Sequence, residues 1–153
     1  IKQIIKDVDS EIISLDTKKF ETKIKKQKSQ ETFSNLASLF QSFEIGKKIG
    51  EDLIFFIEDD YLHFETMLEE MISTYERVSS QVGKDIFMCP ADYPYLYMNN
   101  EKTNILIGNK RHWRTITKTL CTFLTSKKLL NLYFPEVIEI FLPLSNSKFT
   151  FPE

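Results

Sequence analysis

The spacing of apolar residues changes period several times along the chain, and each change predicts an element. Ser10-Glu11-Ile12-Ile13-Ser14-Leu15 is short, apolar and partly β-branched, which predicts a strand. Lys18 to Lys28 is dominated by lysine and reads as a solvated helix face or loop; the other reading is that some of these lysines neutralise a phosphate-bearing ligand. Phe33, Leu36, Phe40 and Phe43 then recur at three and four residues, with Ala37 and Leu39 widening the stripe of an amphipathic helix. Ser29 or Thr32 fits its start and Gly46 or Gly50 its end.

The run Leu53-Ile54-Phe55-Phe56-Ile57 does not alternate, so it predicts a strand covered on both faces, as in the middle of a parallel or mixed sheet. Helical spacing returns with Phe64, Met67, Leu68, Met71, Tyr75 and Val78 on one side, while Glu65, Glu69, Glu70 and Glu76 face water. Asp85 to Cys89 is a strand candidate that Pro90 stops, and Asn104 to Ile107 is a strand followed by a Gly108-Asn109 turn. Thr115 to Leu124 is strand-like, Ser126 is placed to cap a final short helix, and Pro135 to Leu144 carries no clear period. Alternating strands and helices of this kind predict one α/β layered domain over residues 1–153, with no repeat, low-complexity tract or linker.

The junction of the buried strand with Glu58-Asp59-Asp60 is the most informative stretch. Ligands of open α/β sheets bind just outside the carboxyl ends of strands. Alternation along the strand puts Glu58 and Asp60 on one side and Asp59 on the other. Two carboxylates ~4 Å apart repel by about 4 kcal/mol at an effective dielectric of ~20. A divalent cation would offset that, and oxygen ligands suit Mg²⁺ or Mn²⁺ held jointly by carboxylates and substrate phosphates. The competing reading is an acidic turn in which Asp59 or Asp60 caps the following helix.

Composition narrows the classes. Hydrophobic residues make up 42% and charged residues 27% of 153, which is the balance of a globular domain. A net charge of −2 offers no general attraction for nucleic acid or an anionic membrane, so no nucleic-acid partner is expected. No apolar run reaches the ~20 residues of a membrane helix, so no transmembrane segment is expected. Cys89 and Cys121 read as free thiols, with a disulfide or zinc site as the minor alternative. The chain opens on Ile1 rather than Met and is read as trimmed at the front.

An apolar strand ending in Glu58-Asp59-Asp60 resembles the DxD signature of GT-A glycosyltransferases, with Glu58 standing for the first Asp. The stretch His112-Trp113-Arg114-Thr115, with Thr117, Thr119, Thr122 and Phe123 after it, resembles the second motif of a family-2-like bacterial group that pairs it with an upstream Glu-Asp-Asp-Tyr. The resemblance spans roughly Ser34 to Phe123. It implies a GT-A-like mixed sheet flanked by helices, incomplete at its front because no full nucleotide-binding strand precedes Ser10. It also implies metal-assisted sugar transfer from a nucleotide-sugar donor to a hydroxyl of a carbohydrate or lipid-linked acceptor, as in cell-surface polysaccharide assembly. In that setting Glu58, Asp60 and His112 hold Mn²⁺ or Mg²⁺, while Asp59, Asn35, Trp113 and Arg114 contact the donor. The expected location is cytoplasmic, or peripheral at the inner membrane face.

Asp92, flanked by prolines after a strand end, is the candidate general base for an inverting transfer, or else a turn former. Tyr93, Tyr95 and Tyr97 would stack on a sugar ring or pack, and His63 is a lesser ligand candidate. Two rival functions follow from the same residues: a non-catalytic binding or assembly module of this fold, and a metal-dependent phosphohydrolase.

Overall fold

The computed structural model describes residues 9–24, 29–98, 102–116 and 122–141; the side chains of 95–96 and 135–141 lie outside that description. The chain clusters into two compact units, Ile1–Gln41 and Ser42–Glu153, with the division falling inside the first α-helix. That helix, α1 (Gln30–Ile49), begins where the sequence pattern places it: Ser29 Oγ accepts the Thr32 N–H at 3.1 Å, an N-cap bond. Gly50 follows its last residue.

In the first unit, Phe20, Ile24, Leu36, Ala37 and Phe40 are buried together, with Phe20 and Phe40 rings 6.0 Å apart. Phe20 closes a 3-10 turn, Thr17–Phe20, and the ammonium groups of Lys19 and Lys23 lie over its ring at 5.3 and 5.6 Å. Residues 9–16 form no strand, contrary to the pattern of Ser10 to Leu15: Ile12, Ile13 and Leu15 are exposed. Instead of a strand partner, this backbone has the Gln41 amide, which donates to the Ser14 carbonyl at 3.1 Å. Asn35 belongs to this unit and is exposed.

The second unit is a small mixed α/β assembly. Strand β1 (Leu53–Phe56) enters α2 (Met67–Val82) through a long loop; β2 (Ile105–Ile107) and β3 (His112–Arg114) form a hairpin; β4 (Phe123–Ser126) runs into α3 (Lys127–Phe141). Among the described residues there are two sheets, each of two antiparallel strands, β1–β4 and β2–β3. The parallel or mixed layered sheet expected from the sequence is therefore not what surrounds β1. Strand β4 carries β1 on one side in the register Phe56↔Phe123, and on the other a single bridge from Met88 to Leu124. The Asp85 to Cys89 strand is reduced to that bridge.

Coverage on both faces holds for Leu53 to Phe56, while Ile57, the fifth apolar residue of the run, lies past the strand and is 55% exposed. Ile54 and Phe56 are buried toward Gly46 of α1, where Phe43 stands edge-on to Phe56 at 4.8 Å. Leu53 and Phe55 pack from the opposite face on Met71, Tyr75, Met88 and Leu124. Antiparallel pairing puts a helix on each face here, so a run without alternation did not require a parallel sheet. Helix α2 ends at Gly83, whose φ of 67° is the left-handed conformation of a C-cap. Ser126 caps α3, accepting the Leu129 N–H at 3.0 Å, as the sequence predicts. No helix among the described residues is long and apolar enough to cross a membrane.

Phe43 is 1% exposed at the centre of this packing, so Phe43→Ala should lower unfolding free energy by about 3–5 kcal/mol. Leu62→Ala, at a fully exposed position, should stay within about 0.5 kcal/mol. Urea titrations of the two variants check this; equal losses would remove Phe43 from the core.

Candidate functional site

The site is built on a carboxylate that the sequence pattern sends to solvent. Glu70 is 4% exposed, although its neighbours Glu69 and Glu76 face water. The buried stripe of α2 runs from half-buried Met67 through Glu70, Met71, Thr74, Tyr75 and Val78, turned away from Leu68, which is 49% exposed; Phe64 precedes the helix in the loop and is 71% exposed. Glu70 reaches the turn between β2 and β3. Its Oε1 accepts the N–H groups of Asn109 (2.9 Å) and Arg111 (3.2 Å) and the Trp113 indole Nε1–H (3.1 Å), while Oε2 accepts the Lys110 N–H (2.6 Å). The Thr74 hydroxyl adds a fifth donor at 3.4 Å.

Burial alone would push the Glu70 carboxyl up, but the bonds from Trp113, Lys110, Arg111 and Asn109 outweigh it and hold the pKa below the usual carboxylate value. Gly108 lets the turn close on this group. A Cβ there would overlap Glu70 Oε1 and stand 2.6 Å from Trp113 Nε1. The predicted Gly108-Asn109 turn is thus present, and its partner is a side chain far away in the chain.

Strand β3 then forms one wall of a cleft of about 300 Å³. Arg111, His112, Trp113 and Arg114 line that wall; Phe64, Thr66, Met67 and Glu70 line a second; Cys89, Pro90, Ala91 and Asp92 line a third. Four residues singled out from sequence therefore meet here: Asp92, His112, Trp113 and Arg114. Arg114 Nε and Nη2 both donate to Asp92 Oδ1, at 3.1 and 2.8 Å, and its guanidinium lies 4.2 Å over the Tyr97 ring. The Tyr97 hydroxyl donates to Asp92 Oδ2. Desolvation raises the Asp92 pKa, but the Tyr97 bond and the Arg114 charge exceed it and lower it overall. Arg114, expected from sequence to contact a donor, spends these two bonds on Asp92. Cys89 is a half-buried free thiol, and Cys121 lies outside the described residues.

The acidic triplet does not line this cleft. Glu58 is half-buried: its N–H donates to Thr122 Oγ1 at 3.0 Å, and the Thr122 hydroxyl lies 3.3 Å from Glu58 Oε2 as donor. Asp59 and Asp60 are exposed in a turn and cap no helix, since α2 starts at Met67 after Thr66. Among the described residues no three His, Cys, Asp or Glu side chains gather into a metal-holding group, and His112 lines the cleft while Glu58 and Asp60 do not. His63 packs beside Phe55 and Tyr61, its Nε2 buried without a hydrogen-bond partner among the described residues. The Tyr61 and Tyr93 hydroxyls bond to each other, tying the acidic loop to the segment that carries Asp92.

Sequence reasoning missed Glu70, Arg111 and Phe64. For Glu70 a signal existed: it stands three residues after Met67 and four before Thr74, inside the buried stripe. Comparisons with family models, with curated proteins and with solved structures find no match for this chain.

Replacing Glu70 by Gln removes the charge from a cluster of donors and should destabilise the protein by roughly 2–3 kcal/mol at pH 7. Because the folded pKa lies below the unfolded one, the charge contributes fully above pH ~4.5 and is lost as pH falls through the folded value. Denaturant titrations should therefore show the gap between wild type and Glu70→Gln narrowing below pH ~4; a gap unchanged by acid would contradict the assignment.

Proposed function

We propose that this chain is a glycosyltransferase domain that moves a sugar from a nucleotide-diphosphate donor to an acceptor hydroxyl, with the cleft beside Trp113 as its ligand site. One observation carries the reading: Asp92, His112, Trp113 and Arg114, far apart in type and partly in sequence, line the same cleft. Trp113 has its indole N–H tied to Glu70, so the ring is a fixed wall on which the apolar face of a sugar or a base can lie. Asp92 is ionised at neutral pH and is oriented by Arg114. Its Oδ2 already receives one hydroxyl, from the exposed Tyr97, and an acceptor hydroxyl taking that place would be set for proton transfer to the carboxylate.

A divalent cation would neutralise charge building on the departing diphosphate. Glu58 and Asp60 are the side chains suited to hold it, since hard cations are commonly bound by one or two carboxylates together with substrate phosphates. Exposed Asp60 and Asp59 are open to such a ligand, while Glu58 is anchored by Thr122. His112 is left to contact the ligand from the cleft wall.

The second reading, a binding module without catalysis, is favoured by the closed pairing of Asp92 with Arg114. Calorimetry with uridine and guanosine diphosphate hexoses, with and without Mn²⁺, tests both. Metal-dependent donor binding should vanish in Asp60→Asn. Asp92→Asn should keep donor affinity within about threefold while turnover drops about 10²-fold or more. Binding with no turnover in the wild type would select the module, and absence of any metal dependence would remove the transferase reading.

A further inference from the structure

We infer that Arg111, to which the sequence pattern assigned nothing, is the anion-binding group of the cleft, and that it holds a phosphate or diphosphate of the ligand; this rests on the donor-binding reading above. The other guanidinium of the cleft, Arg114, is engaged with the Asp92 carboxylate and is mostly covered, its side chain being 17% exposed. Arg111 differs in each respect. It is exposed, lines the cleft, and has no carboxylate partner among the described residues.

Its position is nonetheless fixed at both ends. The Arg111 N–H is held by Glu70 Oε1, and its carbonyl accepts the Gly108 N–H at 2.7 Å. At the far end its guanidinium lies 4.6 Å over the ring of Phe64, another cleft-lining residue, which is 71% exposed. A planar cation stacked on an aromatic face keeps its edge N–H donors free for an oxyanion. Burying little apolar surface, Phe64 is better explained as the support of that cation than as core.

The charges around it allow a net anion. Glu69 is paired with Lys110 at 3.1 Å, Asp92 with Arg114, and the Glu70 oxygens are turned into the turn that they bind. Among the described residues, the cation left facing the cleft without a carboxylate on its guanidinium is Arg111, with the exposed His112 beside it in sequence; the Glu70 charge that balances it is spent on N–H donors of the turn. A doubly or triply charged phosphate group is the ligand that such a lone, pre-aimed fork recognises.

Inorganic pyrophosphate and a nucleoside diphosphate hexose, titrated separately while following the fluorescence of Trp113, the chain's single tryptophan, make the test. In Arg111→Met the affinity for pyrophosphate should fall about tenfold or more, and Arg111→Lys should recover part of it. Phe64→Ala keeps the charge but removes its support, and should weaken binding severalfold without changing the urea midpoint. Pyrophosphate bound as tightly by Arg111→Met as by wild type overturns the inference. If both proteins bind the nucleotide sugar equally, Arg111 falls while the donor reading stands. If wild type binds pyrophosphate through Arg111 but no nucleotide sugar, Arg111 stands and the transferase reading falls. No binding of either probe to wild type defeats both.

Discussion

A single buried carboxylate organises the second unit. Glu70 has left water, and a bare charge at 4% exposure is tolerable only because the turn after β2 surrounds it with N–H donors. The dependence is mutual. The four-residue turn has backbone N–H groups that no strand partner satisfies, and the carboxylate satisfies three of them at once. Because the fourth bond comes from the Trp113 side chain, the same knot that closes the hairpin also orients the ring forming the cleft wall. Helix α2, the hairpin and the cleft are therefore one cooperative object, although the sheet of β2 and β3 shares no strand with that of β1 and β4.

That arrangement explains which parts were legible. Local signals were: the Ser29 and Ser126 caps, the helix through Phe33 to Phe43 and the Gly108-Asn109 turn all depend on residues within a few positions of each other. Coverage of β1 on both faces was legible as well for Leu53 to Phe56, although the fifth apolar residue, Ile57, ended up exposed beyond the strand. What failed was any reading that needed a long-range partner. Ser10 to Leu15 had a strand's composition but met a glutamine side chain instead of a strand edge. Glu70 was assigned to solvent by its acidic neighbours, since nothing near it in sequence reveals donors some forty residues downstream. With Glu70 in the stripe, the buried face of α2 is turned away from Leu68, while Phe64 lies in the loop before the helix and is exposed there.

The candidate site was legible by residue type and less so by geometry. The His112-Trp113-Arg114 cluster stood out by its resemblance to a transferase motif, although a polar-aromatic-polar alternation also suits the short strand it forms. Its partner Asp92 was chosen for chemistry, and the ion pair with Arg114 could not be read without the fold. Paired charges of this kind do two things in a cleft: they fix each other's orientation, and they remove each other's net attraction for a ligand.

The acidic triplet and the cleft remain separate places joined by one segment. Residues 58–66 begin at Glu58, bound to buried Thr122 just before β4, and end at Phe64 and Thr66 on the cleft wall. Midway, the Tyr61 hydroxyl meets that of Tyr93, adjacent to Asp92. A ligand carrying both a metal-seeking diphosphate and a flat ring would have to bridge the exposed carboxylates and the indole along this segment. Its anchors at Thr122 and Tyr93 are hydrogen bonds to groups on other segments, so a shift of either anchor moves the acids relative to the cleft. The separation of the acids from the cleft is thus held by side-chain hydroxyls, while the sheet fixes only where the segment starts.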